Sequence, residues 1–153
     1  MSSLRDSINQ ALKDSLKSKD AVGTRTLRLI LAAIKDRDIA ARGKGATEGI
    51  GDDELLLMLQ TMIKQRRESI TMYEQGGRLE LAEGERGEIE VIERFLPKQM
   101  DEAQMKAAID AIISEIGASG LKEMGNVMAE LRARYAGQMD FGKAAGLVKA
   151  SLS

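Results

Sequence analysis

Apolar residues return every three or four positions along nearly all of this chain, and nowhere do they alternate with polar ones for long. That period traces one face of an α-helix, whereas a half-buried strand needs a period of two. The pattern predicts an all-α protein. It begins with Leu4, Ile8, Leu12 and Leu16 behind Ser3, a residue type that caps helix starts. A second stripe, Leu27, Ile30, Leu31 and Ile34, follows Asp20 and stops at Gly43. The segment GKGATEGIG (43–51) then has the glycine content of a mobile loop. A third helix is expected from near Asp52, with Leu55, Leu56, Leu59, Met62, Ile63, Ile70 and Tyr73 inward, up to Gly76 and Gly77. The fourth, RLELAEGERGEIEVIERFL, should be weaker, because Gly84 and Gly87 each cost about 1 kcal/mol against alanine. Its second half, with Ile89, Ile92 and Leu96, is firmer.

Pro97 is the only proline, and the residue before a proline is pushed out of the helical region. A domain boundary is expected there, with a four-helix domain over residues 1–96 and a three-helix domain over 97–153. Beyond it, Asp101-Glu102-Ala103-Gln104 has the form of a capping box, ahead of the stripe Met105, Ile109, Ile112, Ile113, Ile116. Gly117 and Gly120 close that helix. The next carries Leu121, Met124, Val127, Met128, Leu131 and Tyr135, ending at Gly137. Asp140 caps the last, whose inner face is Phe141, Ala144, Ala145, Val148 and Leu152.

Much chemistry is excluded. The chain has no histidine and no cysteine, which removes the usual zinc sites, Cys–His pairs and Ser–His–Asp triads. GKGATEGIG lacks the Lys-Ser/Thr ending of a P-loop and follows no strand, and no GxGxxG is present. Neither a catalytic residue, a metal ligand nor a cofactor is therefore expected. No apolar run reaches the roughly 20 residues that span a bilayer. The opening MSSLRDSINQALKDSLKSKD lacks the apolar core of a secretory signal. Absent cysteine fits a reducing compartment, and the expected location is the cytoplasm.

The net charge of -1 hides an asymmetry: residues 1–47 are basic on balance and residues 48–97 acidic. Arg25, Arg28, Lys35 and Arg42 recur at spacings of three, seven and seven, which keeps them in one strip of a helix. Lys64 and Arg67 share another face. A third set lies near the end: Arg132, Arg134, Lys143 and Lys149. Each is either ordinary solvated surface or a row of phosphate contacts. Aromatics are only 3%, which argues against stacking-based reading of single strands. Six glutamates from Glu80 to Glu93 wind around a helix rather than converging, as a solvated acidic face or a docking surface does.

Three blocks carry a family likeness: TRTLRLILAAIKDRDIAARG, IKQRRESITMYEQGGRLELAEGERGEIEVIERFLPKQM, and GNVMAELRARYAGQMDFGKAAGLVKASL. In this order they resemble the YqeY-like family, which is similar to the C-terminal tail domain of the aspartyl/glutamyl-tRNA amidotransferase B subunit. The resemblance implies a helical domain followed by a smaller three-helix domain. It also implies tRNA recognition by the closing helices, and an association with carbon–nitrogen ligase activity that uses glutamine as amide donor. The amidotransferase tail typically has Gly-x-Ala-Asn-Pro where this chain has Gly137-Gln138-Met139-Asp140-Phe141. Aspartate caps as asparagine does, but the proline at the first helical position is lost. The leading expectation is a non-catalytic helical module that binds tRNA or a tRNA-modifying or aminoacylation enzyme. The alternatives are a protein–protein adaptor that uses the Glu80–Glu93 face, and an amidotransferase component active only in a complex.

Overall fold

Two hydroxyl- or carboxylate-bearing residues set the first two helix starts. In the computed structural model, which describes residues 3–153, the Ser3 side chain accepts the Asp6 N–H at 3.1 Å and opens α1 (Leu4–Ser18). Asp20 accepts the Gly23 N–H at 3.0 Å and opens α2 (Ala21–Arg42). Each cap satisfies a donor that the first turn cannot pair within the helix. Between them Lys19 turns left-handed at φ 59, and the Asp20 N–H closes onto the Ser15 carbonyl at 2.9 Å. The chain then makes α3 (Asp52–Gln75) and α4 (Leu79–Glu93), neither with a side-chain cap. No strand occurs among the described residues, so the class is all-α.

The backbone divides into two compact units, Met1–Leu96 and Pro97–Ser153. In the first, α1 packs on α2, and α4 packs on both α2 and α3. Ile8, Ile30, Leu55, Met58, Leu59 and Ile92 are fully enclosed at its centre. Despite Gly84 and Gly87, α4 is one uninterrupted helix. Burial of Ala82, Ile89, Val91 and Ile92 outweighs the local preference, as tertiary packing of an apolar face generally does.

Two expectations for this unit need correction. Leu16 is half exposed, and Ser15 is buried in its place. The Ser15 hydroxyl donates to the Leu12 carbonyl and lies 2.8 Å from the Thr24 hydroxyl, so a polar contact joins α1 to the start of α2. The glycine-rich segment after α2 is pinned rather than loose. Ala46 N–H returns to the Ala41 carbonyl, and Ile50 is buried with its N–H on Asp38.

The second unit is built from α5 (Glu102–Ile116), a single 3-10 turn (Leu121–Glu123), α6 (Met124–Tyr135) and α7 (Phe141–Leu152). The expected capping box is formed: Asp101 accepts the Gln104 N–H at 2.8 Å and Gln104 accepts the Asp101 N–H at 3.0 Å. Gly117 closes α5 at φ 68, a conformation that costs other residues about 1–2 kcal/mol. The core holds Ile109, Ile112, Val127, Leu131, Met139, Ala144 and Val148. Ile116 and Leu121, expected inside, are exposed. The helix breaks between them, so both lie off the packed stripe. The fully buried Met139 fills the α6–α7 corner instead.

Candidate functional site

The four cations of the basic strip on α2 have different surroundings. Each seven-residue step along a helix returns to within about 20° of the same direction, so Arg28, Lys35 and Arg42 stay aligned. Arg25, three residues earlier, turns toward α4, where its Nε lies 3.6 Å from Glu88 Oε1. The other Glu88 oxygen accepts from Arg66 Nε at 2.9 Å. This trio, with Arg66 and Glu88 mostly buried and Arg25 more than half exposed, ties α2, α3 and α4 together. Burial, reinforced by the charge and hydrogen bond of neighbouring Glu88, pushes the Glu85 carboxyl above its ordinary range.

Lys35 and Arg42 line a groove of about 350 Å³ between α1 and α2, with Arg5, Asn9, Leu31, Ile34, Asp38 and Ile39. Arg5 grips Asp38 through two hydrogen bonds, 2.7 and 3.0 Å, and donates a third to the Ile50 carbonyl at 3.1 Å. The guanidinium, helped by the Ile50 N–H, holds the Asp38 carboxyl below the usual carboxylate range. Lys35 and Arg42 make no ion pair among the described residues. Arg28 is exposed and makes none either.

The acidic face is largely neutralised within the chain. Glu80 pairs with Arg78, Glu83 with Arg86, Glu88 with Arg25 and Arg66, and Glu93 with Arg67. Among the described residues, no group of three or more acidic side chains is placed to hold a metal ion.

In the second unit Asp140 accepts N–H bonds from Gly142 at 2.9 Å and Lys143 at 3.2 Å, which fixes the first turn of α7. Arg132, at the end of α6, lies over the Phe141 ring, 5.7 Å from its centroid. A guanidinium on an aromatic face is held in place while its outer edge stays available to an anion. Arg134 points elsewhere. It pairs with Glu115 at 2.7 Å and Glu130 at 3.0 Å, and it draws the Glu115 carboxyl down from its ordinary value. Lys149 sits six residues beyond Lys143, about 9 Å along α7. Of the four basic residues near the end of the chain, the fold seats Arg132 on Phe141 at the α6–α7 corner and turns Arg134 onto α5, while Lys143, two residues past Phe141 and so on another face of α7, and Lys149 at its far end stand apart from that contact. Phe141, expected as a core residue, also serves as the seat of Arg132. Arg5, Arg66 and Glu88 carry no local signal in the sequence, because their partners lie more than twenty residues away.

No helix among the described residues is long and apolar enough to cross a membrane. A family model described as Yqey-like protein matches residues 5–152. The chain is 28% identical to altered inheritance of mitochondria protein 41, mitochondrial, of Lachancea thermotolerans, covering 95% of this chain and 76% of the relative. It is 30% identical to the Saccharomyces cerevisiae protein of the same name, over 69% of this chain and 58% of that protein. An uncharacterised Schizosaccharomyces pombe protein is 31% identical over 60% of this chain and 70% of its own length. The chain thus spans three quarters of one of these relatives and little more than half of another.

Proposed function

The chain belongs to the Yqey-like protein family, and from that premise we propose that it is a non-catalytic accessory module that holds tRNA through its second unit. The observation that carries the reading is the α6–α7 corner. There Arg132 is braced on Phe141 and Lys143 stands on the capped first turn of α7, and among the described residues neither has a carboxylate within ion-pair distance. Lys149, six residues beyond Lys143 and about 120° around α7 from it, adds positive charge near the end of the helix rather than to the same row. Arg134 braces α6 against α5 and is not a ligand in this reading. The similarity of the family to the tRNA-recognising tail of the amidotransferase supports the same surface. On this reading glutamine-dependent ligase activity belongs to a complex the module joins, and the cytoplasm is its place of action. The mitochondrial label belongs to the names of the fungal relatives.

The adaptor reading that relied on the acidic face is weaker, because four of its six glutamates already pair with arginines of the same chain. The test is tRNA binding by fluorescence anisotropy with charge reversals. R132E/K143E should weaken binding at least tenfold, whereas R28E/K35E should leave it near wild type. With two or three phosphate contacts at a slope of about 0.9 each, affinity should fall roughly seven- to twentyfold between 50 and 150 mM salt. No measurable tRNA binding at 50 mM salt would sink the reading.

A further inference from the structure

The groove between α1 and α2 has no role in the tail's grip on tRNA, and its make-up differs from that of a phosphate track. Its α2 wall is the row Leu31, Lys35, Asp38, Ile39, Arg42, which follows the three-and-four spacing of one helix face. Its α1 wall is Arg5 and Asn9, one turn apart. The Asp38 carboxylate is neutralised by the double hydrogen bond from Arg5 and by the Ile50 N–H. Lys35 and Arg42, the latter's charge also acting on Asp38 though neither makes an ion pair among the described residues, bracket Ile39, which is 56% exposed although it is a large apolar side chain. Partly buried Leu31 continues the apolar surface inward, over the buried Ile34.

We propose that this groove docks an acidic amphipathic helix of a partner protein, which presents apolar side chains to Leu31 and Ile39 and a carboxylate to each of Lys35 and Arg42. The argument is complementarity of charge and spacing. Lys35 and Arg42 are seven residues apart, about 10.5 Å along the axis. Carboxylates seven residues apart on a facing helix have the same separation, and the positions between them lie over Ile39. A groove of about 350 Å³ accepts one or two side chains. A sugar–phosphate backbone would satisfy the two cations but would leave Leu31 and Ile39 against polar ribose and phosphate, with no apolar surface covered. The groove therefore favours a peptide over RNA, and it gives the module a means of joining a tRNA-handling enzyme while the other unit holds the nucleic acid.

The test uses the full chain, labelled with nitrogen-15, and a 14-residue helix-forming peptide. The peptide carries glutamates at its fourth and eleventh positions and leucines at its seventh and eighth. A control peptide has glutamines for the glutamates, and tRNA is titrated in parallel. The acidic peptide should produce saturable amide shifts confined to Arg5–Asn9 and Leu31–Arg42. K35E/R42E should weaken its binding about tenfold, at roughly three- to fivefold per exposed charge pair. Ile39→Ser, at an exposed position that folding does not depend on, should weaken it with both cations intact, and Lys106→Glu should leave it unchanged. The glutamine peptide should bind at least fivefold less tightly. Absence of saturable shifts in α1 and α2, or equal binding by the glutamine peptide, overturns the proposal. So does a result in which K35E/R42E abolishes tRNA binding while the peptide is unaffected, which would make the groove an RNA surface. Loss of tRNA binding in R132E/K143E bears on the tail alone and leaves this outcome readable.

Discussion

The two units hold their helices together by different means. In Met1–Leu96 α1 and α2 are side-chain capped, whereas the α3–α4 pair starts without side-chain caps and is laced by ion pairs between the helices, Arg66–Glu88, Arg67–Glu93 and Arg86–Glu74. In Pro97–Ser153 two of three short helices are side-chain capped, and only Arg134 makes ion pairs among the described residues. Short helices gain few internal hydrogen bonds against a costly nucleus, so a cap matters more to them. The 24-residue α3 has enough turns to carry a ladder of charges along its contact with α4. The consequence is functional. Arginine in the first unit is mostly engaged with carboxylates, while the second keeps Arg132 and Lys143 available.

The largest effect expected from this contrast is in the cores. Leu131→Ala and Leu59→Ala each remove a fully buried side chain and should each cost about 2–5 kcal/mol. A core as small as that of the second unit rarely supplies more than about 3–5 kcal/mol in total. Leu131→Ala should therefore abolish slow hydrogen exchange throughout α5–α7, while Leu59→Ala should leave the first unit folded with a lower midpoint. If both units respond alike, size is not what separates them.

Caps come next. Asp140→Ala and Asp101→Ala should each destabilise the second unit by about 1 kcal/mol in urea denaturation, with the first unit unmoved. Ser3→Ala should cost the first unit less than that, because α1 is held along its length by Ile8 and the Arg5 clamp.

A smaller effect is the response to acid. Asp38 and Glu115 both titrate below their ordinary values in the folded chain, each chiefly through a hydrogen bond from an arginine. A carboxyl depressed in the fold stabilises it above the unfolded pKa of about 4, and that contribution is lost as pH falls through the lower folded value. Both units should thus weaken below about pH 4. Asp38 is mostly enclosed and Glu115 is about half exposed. Half-molar salt should erase the Glu115 contribution and spare that of Asp38, since screening acts on exposed pairs. Glu85 has the opposite sign. Its raised value favours the fold at low pH and penalises it as pH rises, so Glu85→Gln should stabilise the first unit slightly at neutral pH, read by thermal unfolding.

What is legible in the chain beforehand follows the range of each interaction. Ser3, Asp20, Asp101 with Gln104, and Asp140 act on amides two or three residues away, and all four caps can be read from the sequence. The stripes locate Ile30, Leu59, Ile109 and Val148 in the cores. They misplace Leu16, Ile116 and Leu121 at helix ends, where the regular spiral stops, and they pass over Met139, which lies between helices. The basic residues of the candidate surfaces are visible too. Which of them are already paired is not, because Glu88 reaches Arg66 across 22 residues and Arg134 reaches back to α5.

The clamp of Arg5 on Asp38 and the Ile50 carbonyl also has a kinetic meaning. It joins positions 33 and 45 residues apart, whereas the α1–α2 and α3–α4 pairs form from neighbouring sequence. Contacts of high sequence separation carry a larger loop-closure cost, so the clamp should close after both pairs have formed, on the native side of the folding barrier. Arg5 is then a latch on the exit: Arg5→Ala should shorten the lifetime of the folded first unit while leaving its rate of formation nearly untouched.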